Sequence, residues 1–162
     1  MGEIKAPELL TKKHEVDKFD CGNLTLNDWL KKRALKNQDK YSTTRVVCIE
    51  NKVIAYYTLV YGSVNREEML SKIKKNAPER IPVMILGRLA VDLNWQGKGI
   101  AKHLLKEALL KTIEASTVAA VRGVLVHAIN KEAEDFYKTY GFSDCKIDLT
   151  LFLSIEHIKA QF

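Results

Sequence analysis

The amino-acid sequence predicts an α/β (α+β) domain built on a central mixed, twisted sheet flanked by helices, and three features carry that expectation. Val83 to Val91 is a nearly unbroken apolar, β-branched run, suited to a strand covered on both faces. Across the corner Gln96-Gly97-Lys98-Gly99-Ile100-Ala101 the pattern changes to helical spacing, with Ile100, Leu104, Leu105, Ala108, Leu109 and Ile113 on one face. Strand, helix and strand then follow in turn, which calls for parallel neighbours in the sheet and a ligand where those strands end.

The elements follow in order. A short strand is expected near Glu8 to Leu10, and Phe19-Asp20-Cys21-Gly22-Asn23 reads as a turn. A helix over Leu26 to Asp39 is expected from Thr25 with Asp28 three residues on, a weaker relative of the capping box. Leu26, Trp29, Leu30 and Ala34 share its apolar face; Arg33 and Asn37 fall on the same side, where a guanidinium either snorkels from the core edge or faces a cleft. Thr43 to Ile49 and Val53 to Val64, separated by Glu50-Asn51-Lys52, imply an antiparallel hairpin. Arg66 to Lys75 is an amphipathic helix candidate, and Pro78 and Pro82 lead into the central strand. Gly87 inside that strand marks a bulge or a close backbone approach to a ligand. The long helix starts at Gly97 or Lys98 and ends near Ala115 or Ser116. Val121 to Ala128 is the next strand, Asn130 to Phe142 a helix capped by Asn130 and stopped by Gly141, and Lys146 to Leu153 the last strand.

At 162 residues the chain suits one domain spanning 1–162. Its 46% hydrophobic content is that of a soluble globular protein, no run approaches the roughly 20 apolar residues of a membrane span, and MGEIKAPELL has neither a signal-peptide order nor a myristoylation pattern at Met1-Gly2. Cys21, Cys48 and Cys145 are isolated and odd in number, as in reduced thiols of a cytoplasmic protein, and no metal-ligand spacing is present. A formal charge of +6 favours a polyanionic partner.

The chemistry is concentrated at the glycine corner. A strand entering a helix there presents unpaired backbone N–H groups and the positive end of the helix dipole, a combination that suits a pyrophosphate; alternatively, the glycines only make a tight turn. A P-loop would need Ser or Thr where Gly99 stands, and a dinucleotide fingerprint a glycine where Lys102 stands. Gln96-x-x-Gly99-x-Ala101 resembles the coenzyme A loop of the GNAT N-acetyltransferase superfamily. Downstream, Asn130-x-x-Ala133-x-x-Phe136-Tyr137-x-x-x-Gly141-Phe142 resembles the other half of that family's site. The resemblance implies a sheet splayed between its central parallel strands, acetyl-CoA as cosubstrate, and Asn130 in contact with it. It also implies that Tyr137 is catalytic, as the general acid beside the thioester sulfur. A phenol of pKa about 10 suits that task, because expulsion of a thiolate needs a hydrogen bond or a proton. Taken without the loop, Phe136 and Tyr137 would read as core aromatics. Tyr140 corresponds to a variable position and is assigned to packing.

No carboxylate interrupts Ile81 to Leu86 to deprotonate a basic acceptor, Asp92 reads as a cap, and His127 reads as a core histidine or a base. An α-amine, about a third neutral at pH 7.4, needs less help than a lysine amine that is less than about a thousandth neutral. A narrower resemblance agrees with this. Phe19-Asp20-Cys21-Gly22-Asn23, Leu26-Asn27, Trp29-Leu30, Ile81-Pro82-Val83, Leu86-Gly87-Arg88-Leu89-Ala90-Val91-Asp92 and Val126-His127-Ala128-Ile129 look like the acetyltransferase toxins of type II toxin-antitoxin systems. That similarity implies acetylation of the α-amine of aminoacyl-tRNA, a homodimer, a ribbon-helix-helix antitoxin and a cytoplasmic location without membrane contact. It implies backbone contacts from Leu89, Ala90 and Val91 to the acetyl-pantetheine arm, and phosphate contacts from Gln96, Gly97, Lys98, Gly99, Ile100 and Ala101. Arg33, Lys36 and Arg88 are the main substrate candidates, each also readable as a solvated charge, as are Lys31, Lys32 and Lys102. The sequence departs from those toxins at Ala101 and at Ser143-Asp144-Cys145-Lys146, which lacks their proline. Two rival expectations are an acetyltransferase of a small amine or protein N-terminus without a toxin role, and a coenzyme A-binding regulatory module.

Overall fold

The computed structural model describes residues 4–162; the Met1-Gly2 start lies outside the described residues. Strand β1 (Glu8–Leu9) precedes helices α1 (Leu24–Lys32) and α2 (Ala34–Asn37), then strands β2 (Thr43–Ile49) and β3 (Lys52–Asn65). A 3-10 turn (Arg66–Glu68) and α3 (Ser71–Lys74) lead to β4 (Arg80–Val91), and a second 3-10 turn (Leu93–Trp95) to α4 (Ile100–Ser116). Strand β5 (Gly123–His127), α5 (Lys131–Thr139), β6 (Ser143–Asp144), β7 (Thr150–Ser154) and α6 (Ile155–Ala160) complete the chain. The strands form one mixed seven-stranded sheet in the order β1-β2-β3-β4-β5-β7-β6. Among the described residues no helix is long and apolar enough to cross a membrane.

The chain forms two compact units, one made of the residues up to Val60 with Gly87–Ala108, the other of Tyr61–Leu86 with Leu109–Phe162. In the first, β1 pairs antiparallel with β2 and β2 with β3, in register from Thr43↔Leu59 to Ile49↔Lys52 with a shift between Val47 and Cys48. Its core gathers Leu10, Phe19, Leu30, Ala34, Val46, Val53, Tyr56 and Ala90. The Phe19 and Tyr56 rings meet edge to face at 5.6 Å, and Trp29 stacks on Tyr56. Burying side chains of this size contributes about 1.5–3 kcal/mol each. In the second unit β4 runs parallel to β5 from Met84↔Val124 to Leu86↔Val126, and β7 lies antiparallel to both β5 and β6. Its core is Val64, Met69, Ile73, Ile81, Val83, Leu125 and Phe152.

Several expected boundaries move, each for a local reason. The first helix starts at Leu24 because Asn23, not Thr25, is the cap, its side chain accepting from Leu26 N. It breaks at Arg33, whose φ of −121° is not helical, and ends in α2 at Asn37 instead of continuing to Asp39. Arg66 to Lys75 is not one helix: Met69 and Leu70 are extended, and the turn so made buries Met69 completely. Such short helices depend on tertiary burial more than on propensity. The last strand begins at Thr150 and not Lys146, since Leu149 takes a left-handed φ of 58° that stops the alternation before it. The sequence expectation omitted α6, although Ser154 caps it by accepting from His157 N at 3.2 Å.

Gly123 opens β5 where a side chain would collide: a Cβ there would lie 2.1 Å from the Leu153 carbonyl oxygen and 2.7 Å from Phe152 Cζ. Gly123→Ala is therefore expected to lose about 3 kcal/mol or more of stability through overpacking at the β5–β7 pairing. Urea denaturation checks this, and an unchanged midpoint would show that the two strands separate freely.

Candidate active site

The glycine corner is built in the first unit. Gly97 and Gly99 have φ of 77° and 83°, the left-handed region that side chains disfavour, and nothing lies within 4 Å of the Cβ either would carry. Backbone conformation, not crowding, therefore demands glycine at both positions. The helix begins at Ile100, two or three residues later than the sequence suggests, and its first backbone bond runs from His103 N to Gly99 O at 3.2 Å. The N–H groups of Ile100, Ala101 and Lys102 thus have no acceptor inside the helix, and the positive end of its dipole lies at the corner. Lys98, Lys102 and His103 are exposed around it. Tyr57, fully buried on β3, donates its hydroxyl to Glu107 Oε2 and so pins α4 to the sheet of this unit. Burial and that carboxylate together drive the Tyr57 phenol above its ordinary value.

A polar brace holds the approach to the corner. Gln96 Nε2 donates to Val91 O at 2.9 Å and to Cys21 O at 3.0 Å, tying the corner to the end of β4 and to the Phe19–Asn23 turn. Asp92 caps the 3-10 turn, as expected, accepting from Asn94 N at 2.9 Å and also from Asp20 N at 3.1 Å. Asp20 Oδ1 accepts from Gly22 N and Asn27 Nδ2, each at 2.9 Å, while Asn27 Oδ1 accepts from Cys21 N at 2.8 Å. These hydrogen bonds hold the Asp20 carboxyl below the usual carboxylate range. The motif at 19–27 is thus a structural clasp on residues 91–96, a link that no local sequence signal announces.

Along β4, Ala90 and Val91 are buried and Leu89 is half-buried; Gly87 is exposed, its absent Cβ at ordinary contact distance from Thr58 O. Arg88 lies over the Trp29 ring, its guanidinium carbon 3.9 Å from the centroid, and the indole stacks on Tyr56 with an interplanar angle of 11°. Tyr56 in turn donates to Leu26 O at 2.7 Å, which anchors the stack to α1. Burial draws the Arg88 pKa down from its ordinary value, opposed by Tyr56, and no carboxylate pairs with Arg88 among the described residues. A cation–π contact of this kind contributes about 0.5–2 kcal/mol and holds the guanidinium fork in one orientation. Arg33 and Lys36, from the broken helix, are exposed and unpaired by any carboxylate among the described residues, so Arg33 does not snorkel from the core.

In the second unit, Asn130 caps α5 by accepting from Ala133 N at 2.8 Å. Tyr137 is 6% exposed, its ring packed at 5.2 Å from Phe136 and 5.4 Å from Phe142. Burial raises its pKa above the ordinary phenol value, and among the described residues its hydroxyl makes no hydrogen bond. Tyr140 packs on Phe136 as expected. Glu134, three residues before Tyr137 and also buried, is bracketed by Lys131 at 2.6 Å and Lys138 at 3.5 Å, an arrangement that suits helix stability better than proton abstraction. His127 is not a core histidine: its ring is exposed, with Nδ1 2.9 Å from Thr150 Oγ1.

The one cluster of metal-ligating side chains among the described residues is Glu8, His14 and Cys48. Thr11 N donates to His14 Nδ1 at 2.9 Å, which leaves the imidazole proton on Nε2, where it is donated to Glu8 Oε1 at 2.7 Å. That proton occupies the place a metal would need, and burial pushes the Cys48 thiol up to about 11, away from the thiolate form. The donor set does not fit a metal.

Comparison with known proteins places these features in context. The family model of the acetyltransferase (GNAT) domain matches residues 41–144. The chain is 35% identical over 162 residues, covering 99% of itself and 98% of the relative, to a curated protein of Mycobacterium tuberculosis described as a tRNA-acetylating toxin. Among solved structures it is similar to AtaT complexed with acetyl-methionyl-tRNAfMet, with a TM-score of 0.90 and 30% identity over 97% of this chain and 98% of that one. It is similar also to a Tyr-to-Phe mutant of the AtaT toxin bound to the C-terminus of the antitoxin AtaR and acetyl-CoA, with a TM-score of 0.83 and 28% identity over 97% of each chain.

The brace yields a prediction independent of any ligand. Gln96→Ala removes the amide donor to two carbonyls, so stability is expected to fall by about 1–2 kcal/mol and amide exchange to quicken at Gly97 to Ile100. Hydrogen-exchange mass spectrometry checks it; unaltered exchange there would mean that the corner keeps its shape without the glutamine.

Proposed function

The chain belongs to the GNAT acetyltransferase family, and from that premise we propose that it moves acetyl from acetyl-CoA directly to a primary α-amine, that of aminoacyl-tRNA, and so blocks translation. The observation that carries this reading is the corner: two left-handed glycines turn the backbone into α4 with three amides left without helical acceptors. That donor set, beside exposed Lys98, fits a coenzyme A pyrophosphate. In this reading Gln96, Gly97, Lys98, Gly99, Ile100 and Ala101 form the phosphate cradle, the main chain of Leu89, Ala90 and Val91 takes the pantetheine arm, and Asn130 contacts the coenzyme from the start of α5. Acetyl-CoA supplies the activated acyl group and the thiolate leaving group.

Tyr137 serves as the general acid. Its raised pKa keeps the hydroxyl protonated throughout the physiological range, and no partner among the described residues occupies that proton. As the amine nitrogen bonds to the acetyl carbon and the carbon–sulfur bond breaks, Tyr137 passes its proton to the sulfur, the amine loses one to water, and the phenolate is reprotonated from solvent. The acceptor needs no strong base, since an α-amine is already about a third neutral at pH 7.4. Arg33, Lys36 and Arg88 contact the RNA, Arg88 through guanidinium N–H groups that no carboxylate takes up. The likeness to AtaT bound to the C-terminus of the antitoxin AtaR supports an antitoxin as partner; in this reading that antitoxin is of the ribbon-helix-helix kind and the enzyme is a homodimer acting in the cytoplasm.

Incubation with acetyl-CoA and charged bulk tRNA is expected to yield acetylated aminoacyl ends; label on free amines alone would overturn the acceptor. Tyr137→Phe is expected to lower kcat about a hundredfold or more while calorimetry shows acetyl-CoA affinity nearly unchanged. Because burial holds the Tyr137 phenol protonated above its ordinary pKa, the pH–rate profile of the wild-type enzyme should rise with deprotonation of the acceptor amine. It should show no downturn from phenol ionisation up to about pH 10.

A further inference from the structure

Beyond the coenzyme site, the arm formed by α1, α2 and the loop to β2 carries a second arrangement. Tyr41, 73% exposed, is the most exposed aromatic ring of the described residues. Its loop is tightly built. Asn37 O accepts from the N–H groups of Lys40, Tyr41 and Ser42 at 3.1, 2.9 and 3.3 Å. The Gln38 side chain donates to Leu10 O at 3.1 Å and to Thr44 O at 2.8 Å, and accepts from Thr44 N at 2.8 Å. The ring therefore projects from a fixed base, and it is not a frayed end of the helix.

The charges around it are predominantly positive. Lys31, Lys32, Arg33, Lys36 and Lys40 are all exposed along the same arm, and only Lys32 has a carboxylate partner there, Asp28 at 3.8 Å. Asp39 is the other acid of the arm, so cations outnumber carboxylates by five to two between positions 28 and 41. An exposed aromatic face on a rigid loop beside a strip of unpaired cations matches an unpaired nucleotide with its phosphates: the ring stacks on the base and the cations neutralise the backbone.

We propose that Tyr41 is a nucleobase-stacking platform for the acceptor RNA, with Lys31, Arg33, Lys36 and Lys40 taking the phosphates on either side. This rests on the reading of aminoacyl-tRNA as acceptor and adds to it a residue that touches neither acetyl-CoA nor the reacting amine. Stacking is sequence-tolerant, because every base has a π face, so Tyr41 supplies RNA affinity without choosing the aminoacyl group.

The test uses deacylated bulk tRNA in an anisotropy titration, which needs no acetyl transfer. Tyr41→Ala is expected to weaken binding about tenfold or more, while Tyr41→Phe and Tyr41→Trp retain it. Lys36→Ala should weaken binding and lower the slope of log affinity against log salt by about one. In the acetylation assay Tyr41→Ala should raise KM for aminoacyl-tRNA and leave kcat unchanged. Equal RNA affinity for wild type and Tyr41→Ala overturns the platform, and does so with the acceptor reading intact if the wild type still acetylates charged tRNA. A change of sedimentation coefficient in Tyr41→Ala with RNA affinity unchanged overturns it in favour of a protein contact. Conversely, Tyr41-dependent tRNA binding in a protein that acetylates no charged tRNA supports the platform and sinks the acceptor reading.

Discussion

Asp20 joins two segments of the first unit that lie 72 residues apart in sequence, and the shape of the glycine corner depends on that junction. Its N–H is taken by the Asp92 carboxylate, its carbonyl by the amide of Leu93 at 2.8 Å, and its own carboxylate by Gly22 and Asn27. Gln96 closes the same ring of contacts through the Cys21 carbonyl. Hydrogen bonds to ionised groups are the stronger kind, although here they lie at the surface, where water weakens them. Acting together, they keep a glycine corner, which costs conformational entropy to order, in the one geometry that frees the first amides of α4.

The same economy of parts appears on the other face of β4. Arg88 and Ala90 are two residues apart and so share a face of the strand; Ala90 packs into the core with Tyr56, and Arg88 rests on Trp29 above it. A guanidinium immobilised by an indole, and not by a carboxylate, keeps its charge and its donors available, whereas an ion pair would have consumed both. Helix α1, which carries Trp29, also carries the exposed Lys31 and Lys32 at its end, so packing of the indole orients the charge beside it.

Much of this was legible beforehand. The switch from strand to helical period around Gln96 to Ala101, the hairpin at 43–64 and the Asn130 cap depend on residues within a few positions of one another, and the structure has them where local chemistry puts them. The resemblance to GNAT acetyltransferases, carried by two short motifs, is upheld by the family match. The misplaced elements are those where a distant partner decided: Met69 pulled a predicted helix apart by entering the core, and Leu149 took a left-handed turn ahead of a strand buried on both sides. His127, read as a core histidine or a base, is the last residue of β5, after the buried run Gly123 to Val126, and there it is exposed and meets Thr150.

The sequence by itself determined the period of each long element, the glycines at Gly97 and Gly99 that let the corner take a left-handed backbone, and the residue types available for acyl transfer. These are properties of near neighbours, set by sterics and by hydrogen bonds a few residues long. Only the tertiary structure decided that the Phe19–Asn23 turn clasps the glycine corner, that Trp29 holds Arg88, that Tyr137 is buried and raised in pKa, and that Tyr41 stands clear in solvent. Burial and contact depend on what the rest of the chain brings alongside. No pattern within a single segment encodes a partner fifty or more residues away.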